Sequence, residues 1–548
     1  MNGHSVGSTT HEVLNQPPLL GDVDLFALDA ALREGLVREG AAWASEATQR
    51  YGRLCGSVEM QLAGAQANEN LPRLRSHDRH GNRIDEVEYH PAWHRLMREA
   101  VAAGIHSSPW KQPRDGAHVA RAALMMLGAV NEAGHGCPIS MTYAVTPALA
   151  RQPEILAEWK PRLDSREYDP RFIPARDKRG VLFGMAMTEK QGGSDVRANT
   201  TRAVAIAARG PGREYLLTGH KWFCSAPMND AFLVLAQAEG GLSCFLLPRW
   251  TPEGKRNSFH IQRLKDKCGN RSNASSEIEF SNAWAQLIGE EGRGVPTILE
   301  MVNHTRLDCV LGAAGTMRAC LMHAAHHASH RSAFGRKLLD QPLMRAVLAD
   351  IAIESEAATT LSLRLAHAYD HESEAPFRRI ATAISKYWVC KRAAPLAAEA
   401  VECIGGSGMV EESPLARHYR EAPINSIWEG SGNVICLDVL RALAKEPRAG
   451  EALVAELRLA RGANAQLDAH REQLERDLLV PAEATARSLV ERMALALQGS
   501  LLVRHAPAAL ADAFCATRIA GDWGRSFGAL PASVDSSAIL ARAWPAVD

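Results

Sequence analysis

Residues 181–288 interrupt an otherwise helical chain, and that interruption limits the architectures open to it. Before it, apolar residues recur at three- and four-residue steps, as at Leu25, Leu28, Leu32 and Leu36; this is the pattern of a helix with one buried stripe. Inside it the apolar runs are short, at 184–187, 215–218, 232–237, 244–247 and 277–280, with glycine, proline and asparagine turns between them. Such runs read as strands of a small, mostly antiparallel sheet. Helices, then strands, then helices predict an α+β fold rather than a doubly wound parallel sheet. No GxGxxG follows a strand, and in the cluster Gly405-Gly406-Ser407-Gly408 the last glycine of that motif is replaced by Glu411. A Rossmann site is therefore not expected.

At 548 residues the chain exceeds one core, since cores split beyond roughly 250–300 residues. Four domains are expected: a helical one over 1–180 with a flexible arm at its start, a β-domain over 181–288, a helical bundle over 289–445 and an extra helical domain over 446–548. Residues 73–88 read as a charged loop and 445–450 as a linker. Helices are expected over 119–130, 294–303, 306–330 and 381–404, with Asp340 capping another whose first turn holds Pro342. Lysines plus arginines equal aspartates plus glutamates at 62 each, so no global field draws the chain to nucleic acid or anionic membrane. The 11 cysteines are scattered without a CxxC pair, which argues against a disulfide framework and suits a reducing cytoplasm. No secretory signal is expected at the N-terminus, and no run approaches the ~20 apolar residues of a membrane helix.

Four segments carry chemistry. Residues 187–195, Met-Thr-Glu-Lys-Gln-Gly-Gly-Ser-Asp, combine paired glycines, which let backbone N–H groups approach a ligand, with hydroxyls that donate to phosphate or heteroaromatic oxygen. The structural alternative is a tight turn. Phe223 and Ser225 stand two apart in a strand and so share a face, offering a stacking surface and a donor to one planar ring; a plain core strand reads the same way. Arg331, Phe334, Gly335 and Gln341 place a cation and an aromatic near a helix end, suited to pyrophosphate and adenine or to ordinary surface. In residues 425–433, Asn-Ser-Ile-Trp-Glu-Gly-Ser-Gly-Asn, Glu429 sits among apolar neighbours and precedes a glycine. Desolvation would raise its pKa toward the range of a useful base; alternatively Ser431 simply caps a helix.

Taken in order, these segments resemble the acyl-CoA dehydrogenase superfamily over roughly residues 180–440. Thr188-Glu189 through Gly193-Ser194-Asp195 matches its flavin loop. Arg331, Phe334, Gly335 and Gln341 match its R-x-x-FG dimer segment, Gly405, Gly406 and Gly408 its glycine loop, and Glu429-Gly430-Ser431 its EGT/EGS segment. The strings at 82–93, 187–196, 263–275 and 425–433 and the extra C-terminal domain resemble the AidB-type branch, the bacterial adaptive-response flavoproteins. The resemblance implies FAD as cofactor. Met185, Met187, Thr188, Gly193 and Ser194 would contact it from the β-domain, Phe223 and Ser225 would flank the ring, and Gly405 and Gly406 would pass close to the adenosine phosphate. Ile427, Ser431 and Asn433 would close the site. Arg331, Phe334 and Gln341 would reach the FAD of a neighbouring subunit, implying a homo-oligomer, a dimer of dimers. Glu429 would take the α-proton of an acyl thioester and Arg306 would steady the site; some relatives carry the base at the position of Thr305, which cannot serve. Two departures stand out: Glu402 replaces the glutamine that opens the glycine loop, and Trp428 and Lys190-Gln191 add bulk beside the cavity.

The resemblance also implies an alternative, a DNA-binding protein protecting against alkylation damage with weak dehydrogenase activity. Residues 446–548 hold eleven arginines and no lysine against thirteen acids, so duplex binding would rest on arginine placement. His323, His326, His327 and His330 line one helix face; no carboxylate completes a metal site there, and the stripe reads as solvated surface.

Overall fold

The computed structural model describes residues 10–545. The N-terminal helices are α1 (Ala30–Arg38), α2 (Ser45–Cys55), α3 (Val58–Glu69), α4 (Pro91–Ala102), α5 (Ser108–Lys111), α6 (Ala117–Asn131), α7 (Gly136–Leu149) and α8 (Pro153–Leu163). Between α3 and α4 the segment expected as a loop is a hairpin, β1 (Arg73–His77) and β2 (Arg83–Glu88). Its turn is an Asx motif in which Asp78 accepts from the backbone N–H groups of His80 and Asn82. The hairpin reaches the β-domain, where Asp85 accepts from Ile261 N at 2.9 Å. Charged side chains on an exposed edge disguise such a strand, and they also protect it from stray pairing. Of the expected arm, residues 1–9 lie outside the described residues. Asn15 is tied to the far helical domain, exchanging two hydrogen bonds of 2.8 Å with the Ser332 backbone.

The β-domain comprises β3 (Phe183–Ala186), β4 (Arg202–Ala205), β5 (Glu214–Ser225), β6 (Ala231–Ala238), β7 (Gly241–Pro248), β8 (Phe259–Leu264) and β9 (Ser275–Ile288). The pairings β6–β7, β7–β9, β9–β5 and β5–β4 are antiparallel; β4 meets β6 again at Arg202–Gln237, so the sheet curls back on itself. Strand β8 adds to β9, and β3 runs parallel to β6. From Ala231 to Ala236, β6 is buried on both faces, which explains its unbroken apolar run. One face closes over Tyr215, Phe232, Phe245, Phe259 and Phe280; the other packs Phe183 and Leu233 against α7, α8 and the start of α9.

The second helical unit contains α9 (Gly294–His330), α10 (Pro342–Asp370), α11 (Ala375–Ile404), α12 (Pro414–Glu421) and α13 (Gly432–Lys445). The two helices expected at 294–303 and 306–330 are one helix of 37 residues. His304 and Thr305 fall in the expected gap, yet neither removes a backbone donor, and the ladder continues through them. Helix α10 starts from Gln341, not Asp340, with Pro342 at its first position. Asp340 closes a preceding 3₁₀ turn, and the Gln341 side chain turns back to donate to Ala333 O at 3.0 Å. The histidine stripe is not solvated surface: His327 is buried, and the His323 ring lies 6.3 Å from that of His418. Its cause is the all-round burial of α9, whose neighbours leave only His330 of the four exposed.

The extra helices are α14 (Pro447–Arg458), α15 (Ala465–Asp477), α16 (Ala486–His505), α17 (Ala508–Phe514) and α18 (Ser536–Ala543). The expected linker is absent. Only Glu446 separates α13 from α14, Pro447 is the first helical position, and Ala449 is buried. Proline here marks a helix start. Eight of the eleven arginines are engaged within the chain: Arg458 with Glu475, Arg471 with Asp468 and Glu475, Arg476 with Gln473, Arg487 with Asn433, Arg492 with Asp477, Arg504 with Glu456, Arg518 with Asp350 and Glu354, and Arg542 with Glu34 and Glu356. Among the described residues no helix is long and apolar enough to cross a membrane.

Candidate active site

The loop after β3 is shaped from beneath by a buried carboxylate. Glu189 and Lys221 of β5 form an ion pair at 2.7 Å with both side chains fully buried. Glu189 also accepts from Thr200 N at 2.6 Å, Thr201 N at 3.1 Å, Thr200 Oγ1 at 3.0 Å and Gln191 Nε2 at 2.9 Å. Burial works against its charge, but Lys221 and these donors outweigh burial and hold the carboxyl well below the usual glutamate range. Glu189 is thus the anchor of the loop. Thr188 O accepts from Trp222 N at 2.8 Å, joining loop to β5. A side chain at Gly193 would collide with Thr188 Oγ1, 2.5 Å from where its Cβ would stand. Met185 is buried, Met187 is half-buried in the core below, and Ser194 is exposed.

At the end of β5 the pairing slips between Lys221 and Cys224. Phe223 is turned outward, 49% exposed, while Cys224 is buried. Ser225 is half-buried, its Oγ 3.0 Å from Ser275 Oγ. Lys267 donates to Ser275 Oγ at 2.9 Å and to Asn273 O at 2.6 Å. An ammonium only donates, so Ser275 accepts from it, and Ser225 and Ser275 share one further hydrogen bond in which either hydroxyl can donate. Burial brings Lys267 down to about 8, against the pull of Cys137, Glu421 and Glu132. Cys137 of α7 adjoins Ser225 and Asn273, and burial pushes its thiol up to about 11.

Opposite stands Glu429, in the turn between α12 and α13. Its φ is +60°, the left-handed region that non-glycine residues seldom occupy. Two cations brace this peptide. Arg306 Nε donates to Glu429 O at 3.0 Å, and its Nη1 donates to Asp438 at 2.8 Å; Asp438 also accepts from Arg379 at 2.9 Å. Lys386, buried in α11, donates to Gly430 O. Glu429 Oε2 is buried without a hydrogen-bond partner. Burial raises its pKa above the ordinary glutamate value, although Thr305, Arg306 and Lys386 favour the charged form. A buried carboxylate with an unpartnered oxygen and a raised pKa can accept a proton from a ligand carbon.

The remaining candidates do not join this cluster. Helices α9 and α11 run in the same direction, with Cys390 Sγ donating to Cys309 O between them. Arg331 follows the last residue of α9, about 39 Å along the axis from Thr305 at 1.5 Å per residue. Gly405 and Gly406 follow the last residue of α11 at that same end, and nothing lies within 4 Å of a side chain added to either. Arg331 there donates to Asn15 O at 2.6 Å, and Phe334 is 97% exposed at φ +52°. Glu402 is exposed. Near Glu429, Ile427 is 63% exposed, Ser431 precedes α13 without a side-chain cap bond, and Asn433 accepts from Arg487 of α16 at 3.0 Å. Trp428 turns its indole N–H to Asn425 Oδ1 at 2.9 Å. The sequence reading missed Lys386, Lys267, Ser275 and Asp438. A lone lysine in the apolar stretch 380–390 was the one available signal for Lys386.

The family described as the adaptive response protein AidB N-terminal domain matches residues 15–170. The acyl-CoA dehydrogenase middle domain matches 184–283 and the C-terminal domain of the same family matches 292–444. The putative acyl-CoA dehydrogenase AidB of Escherichia coli (strain K12) is 46% identical across 92% of this chain and 94% of that protein. Acyl-CoA dehydrogenase family member 11 of Caenorhabditis elegans is 31% identical across 80% of this chain and 72% of that protein. The crystal structure of C. elegans ACDH-11 in complex with C11-CoA superposes with a TM-score of 0.82 at 27% identity, covering 94% of this chain and 93% of that one. An acyl-CoA dehydrogenase complexed with FAD from Bacillus anthracis shares the fold, with a TM-score of 0.62 at 18% identity over 78% of this chain and 81% of that one. The chain therefore belongs to the acyl-CoA dehydrogenase family of oxidoreductases, in its AidB-type branch.

Proposed function

We propose that the chain binds FAD and oxidises an acyl-CoA-like thioester, with Glu429 as the base. The observation that carries this reading is the buried, unpartnered Oε2 of Glu429, held on a left-handed peptide opposite Ser225. The residues fit the cofactor. Phe223 offers a half-exposed ring two residues before the Ser225 hydroxyl, and the Glu189-anchored loop presents Thr188 and Ser194. When bound, FAD supplies the two-electron oxidant that the protein's side chains lack. The protein's own part is to exclude water around Glu429, keep its proton affinity above that of a free glutamate, and receive the α-proton on Oε2. That a relative was solved with C11-CoA favours an acyl-CoA ligand class.

The separation of about 39 Å between Thr305 and Arg331 supports a shared site. Arg331, Phe334, Gln341, Gly405 and Gly406 would serve the cofactor of a neighbouring copy, and the 97% exposure of Phe334 fits burial in a homo-oligomer, a dimer of dimers. All eleven cysteines are free, which suits a cytoplasmic setting. Duplex binding finds less support. Of the eleven arginines in 446–548, six are neutralised in ion pairs and two more, Arg476 and Arg487, are held by Gln473 and Asn433, whereas phosphate neutralisation needs a cluster of free cations. The test is to reconstitute the protein with FAD and add branched and straight acyl-CoAs without oxygen. Bleaching of the flavin absorbance, lost in Glu429→Gln, is expected; unchanged bleaching in that variant would refute Glu429 as the base.

A further inference from the structure

We propose that Lys386 is a positioning residue for Glu429, bracing the Gly430 carbonyl and holding an unneutralised positive charge behind the carboxylate. The inference rests on Glu429 being the base.

Lys386 lies in the apolar middle of α11 and is 1% exposed. An ammonium taken out of water needs an anion or a full set of acceptors. Other buried cations show such compensation: Arg121 pairs with Asp308, Lys221 with Glu189, and Arg518 with Asp350 and Glu354, while Arg249 shares its donors between two backbone carbonyls, Pro227 O and Asp85 O. Lys386 forms no ion pair among the described residues, and its one hydrogen bond goes to Gly430 O. The carboxylate its charge acts upon is Glu429. A desolvated cation left without a counter-ion beside a strained carboxylate is expensive for stability alone, and that expense points to the site.

The geometry divides the work between two cations. Arg306 holds Glu429 O, but Asp438 neutralises it. Lys386 holds the next carbonyl, Gly430 O, with its charge intact. Consecutive carbonyls are thus pinned from α9 and α11, and the turn between them is fixed at +60° for Glu429 and +106° for Gly430. A left-handed glutamate persists only where its surroundings over-determine it. The groups facing Glu429 are Thr305, Arg306 and Cys309 of α9, Lys386 of α11 and Cys137 of α7. Of these, Lys386 is the cation without a paired carboxylate. Its removal would both slacken the turn and raise the proton affinity of the base.

The test uses the FAD-loaded, full-length protein and an acyl-CoA it turns over. Lys386→Met is expected to lower kcat about tenfold or more, with KM changed less than about threefold, because the loss falls on the proton-transfer step. The acid limb of the kcat/KM profile is expected to move up by about one pH unit. Lys386→Gln keeps a donor for Gly430 O without the charge. It should show the same shift of the limb with a smaller loss of kcat, and it serves as the informative variant if Lys386→Met does not fold. An unmoved acid limb in the folded variants, or a rise in KM alone, would overturn the proposal. The two readings fail separately. Full turnover by Glu429→Gln removes the base itself, whereas an inactive Glu429→Gln beside an unmoved limb removes only the role of Lys386.

Discussion

Lys221→Met tests whether the Glu189 anchor shapes the ligand loop. Lys221 Nζ donates to Glu189 Oε1 and to Leu235 O, each at 2.7 Å, and both side chains of the ion pair are fully buried. Methionine nearly fills the volume but supplies no donor. Glu189 would keep four donors, from Thr200, Thr201 and Gln191, yet lose its only counter-charge. Removing one partner of a buried pair costs about 3–5 kcal/mol, and the surviving donors put this case near 3 kcal/mol. The least costly relief is to hydrate the carboxylate by opening residues 188–201, so the loss should be local. A loss of 3 kcal/mol corresponds to roughly a hundredfold rise in opening. Native-state hydrogen exchange at the Thr200 and Thr201 amides should accelerate by about that factor, and FAD should be lost more readily on gel filtration. Because Glu189 sits well below the usual glutamate range, the pair's contribution is present above the unfolded value and disappears as pH falls through the folded one. Exchange differences between variant and parent should therefore shrink in acid. A cost below about 1 kcal/mol, the worth of a surface pair, or acceleration spread evenly over the β-domain, would refute the reasoning.

Other outcomes follow from single contacts. Arg518→Ala strands Asp350, buried on α10, and leaves buried Glu354 with Arg392 alone; a loss of about 3–5 kcal/mol should appear as faster proteolysis within 510–545. Glu132 is held down to about 2: burial opposes this, but His135, Ser272 and the backbone at His135 prevail. Its stabilisation is complete above the ordinary glutamate value and is lost as pH falls from there toward 2, so urea midpoints should drop over that window and Glu132→Gln should flatten the drop. Phe334→Ala should weaken self-association by about 1.5–3 kcal/mol per buried ring, read by sedimentation; an unchanged oligomer would remove Phe334 from the interface.

The helix–strand–helix order is legible because burial sets periodicity directly, as in Leu32 and Leu36 of α1 or the continuous run of β6. The hairpin at Arg73–Glu88 was not, since its strands carry charge on exposed faces and gain their order from Asp85 meeting Ile261 far along the chain. Pro447 and Gly450 carry the composition of a linker, but Gly450 packs against Leu443 within a continuous helical run. At the site, a glutamate in an apolar segment before a glycine can be picked out locally. That Lys386 reaches Gly430 O depends on α11 lying parallel to α9, and no local pattern encodes that. Likewise the Lys267–Ser275–Ser225 chain joins a loop to two strands, and each link is an ordinary residue until the sheet pairs β5 with β9.

Helix α9 carries Thr305 and Arg306 near one end and leads into Arg331 at the other. On the shared-site reading, each copy then lends half of its equipment to its neighbour. Consider a dimer assembled from one Glu429→Gln subunit and one Arg331→Ala subunit. One site would inherit both lesions, while the other would draw Glu429 and Arg331 from the two unaltered halves and be whole. Two inactive preparations, mixed and allowed to exchange subunits, would thus regain turnover that neither shows by itself.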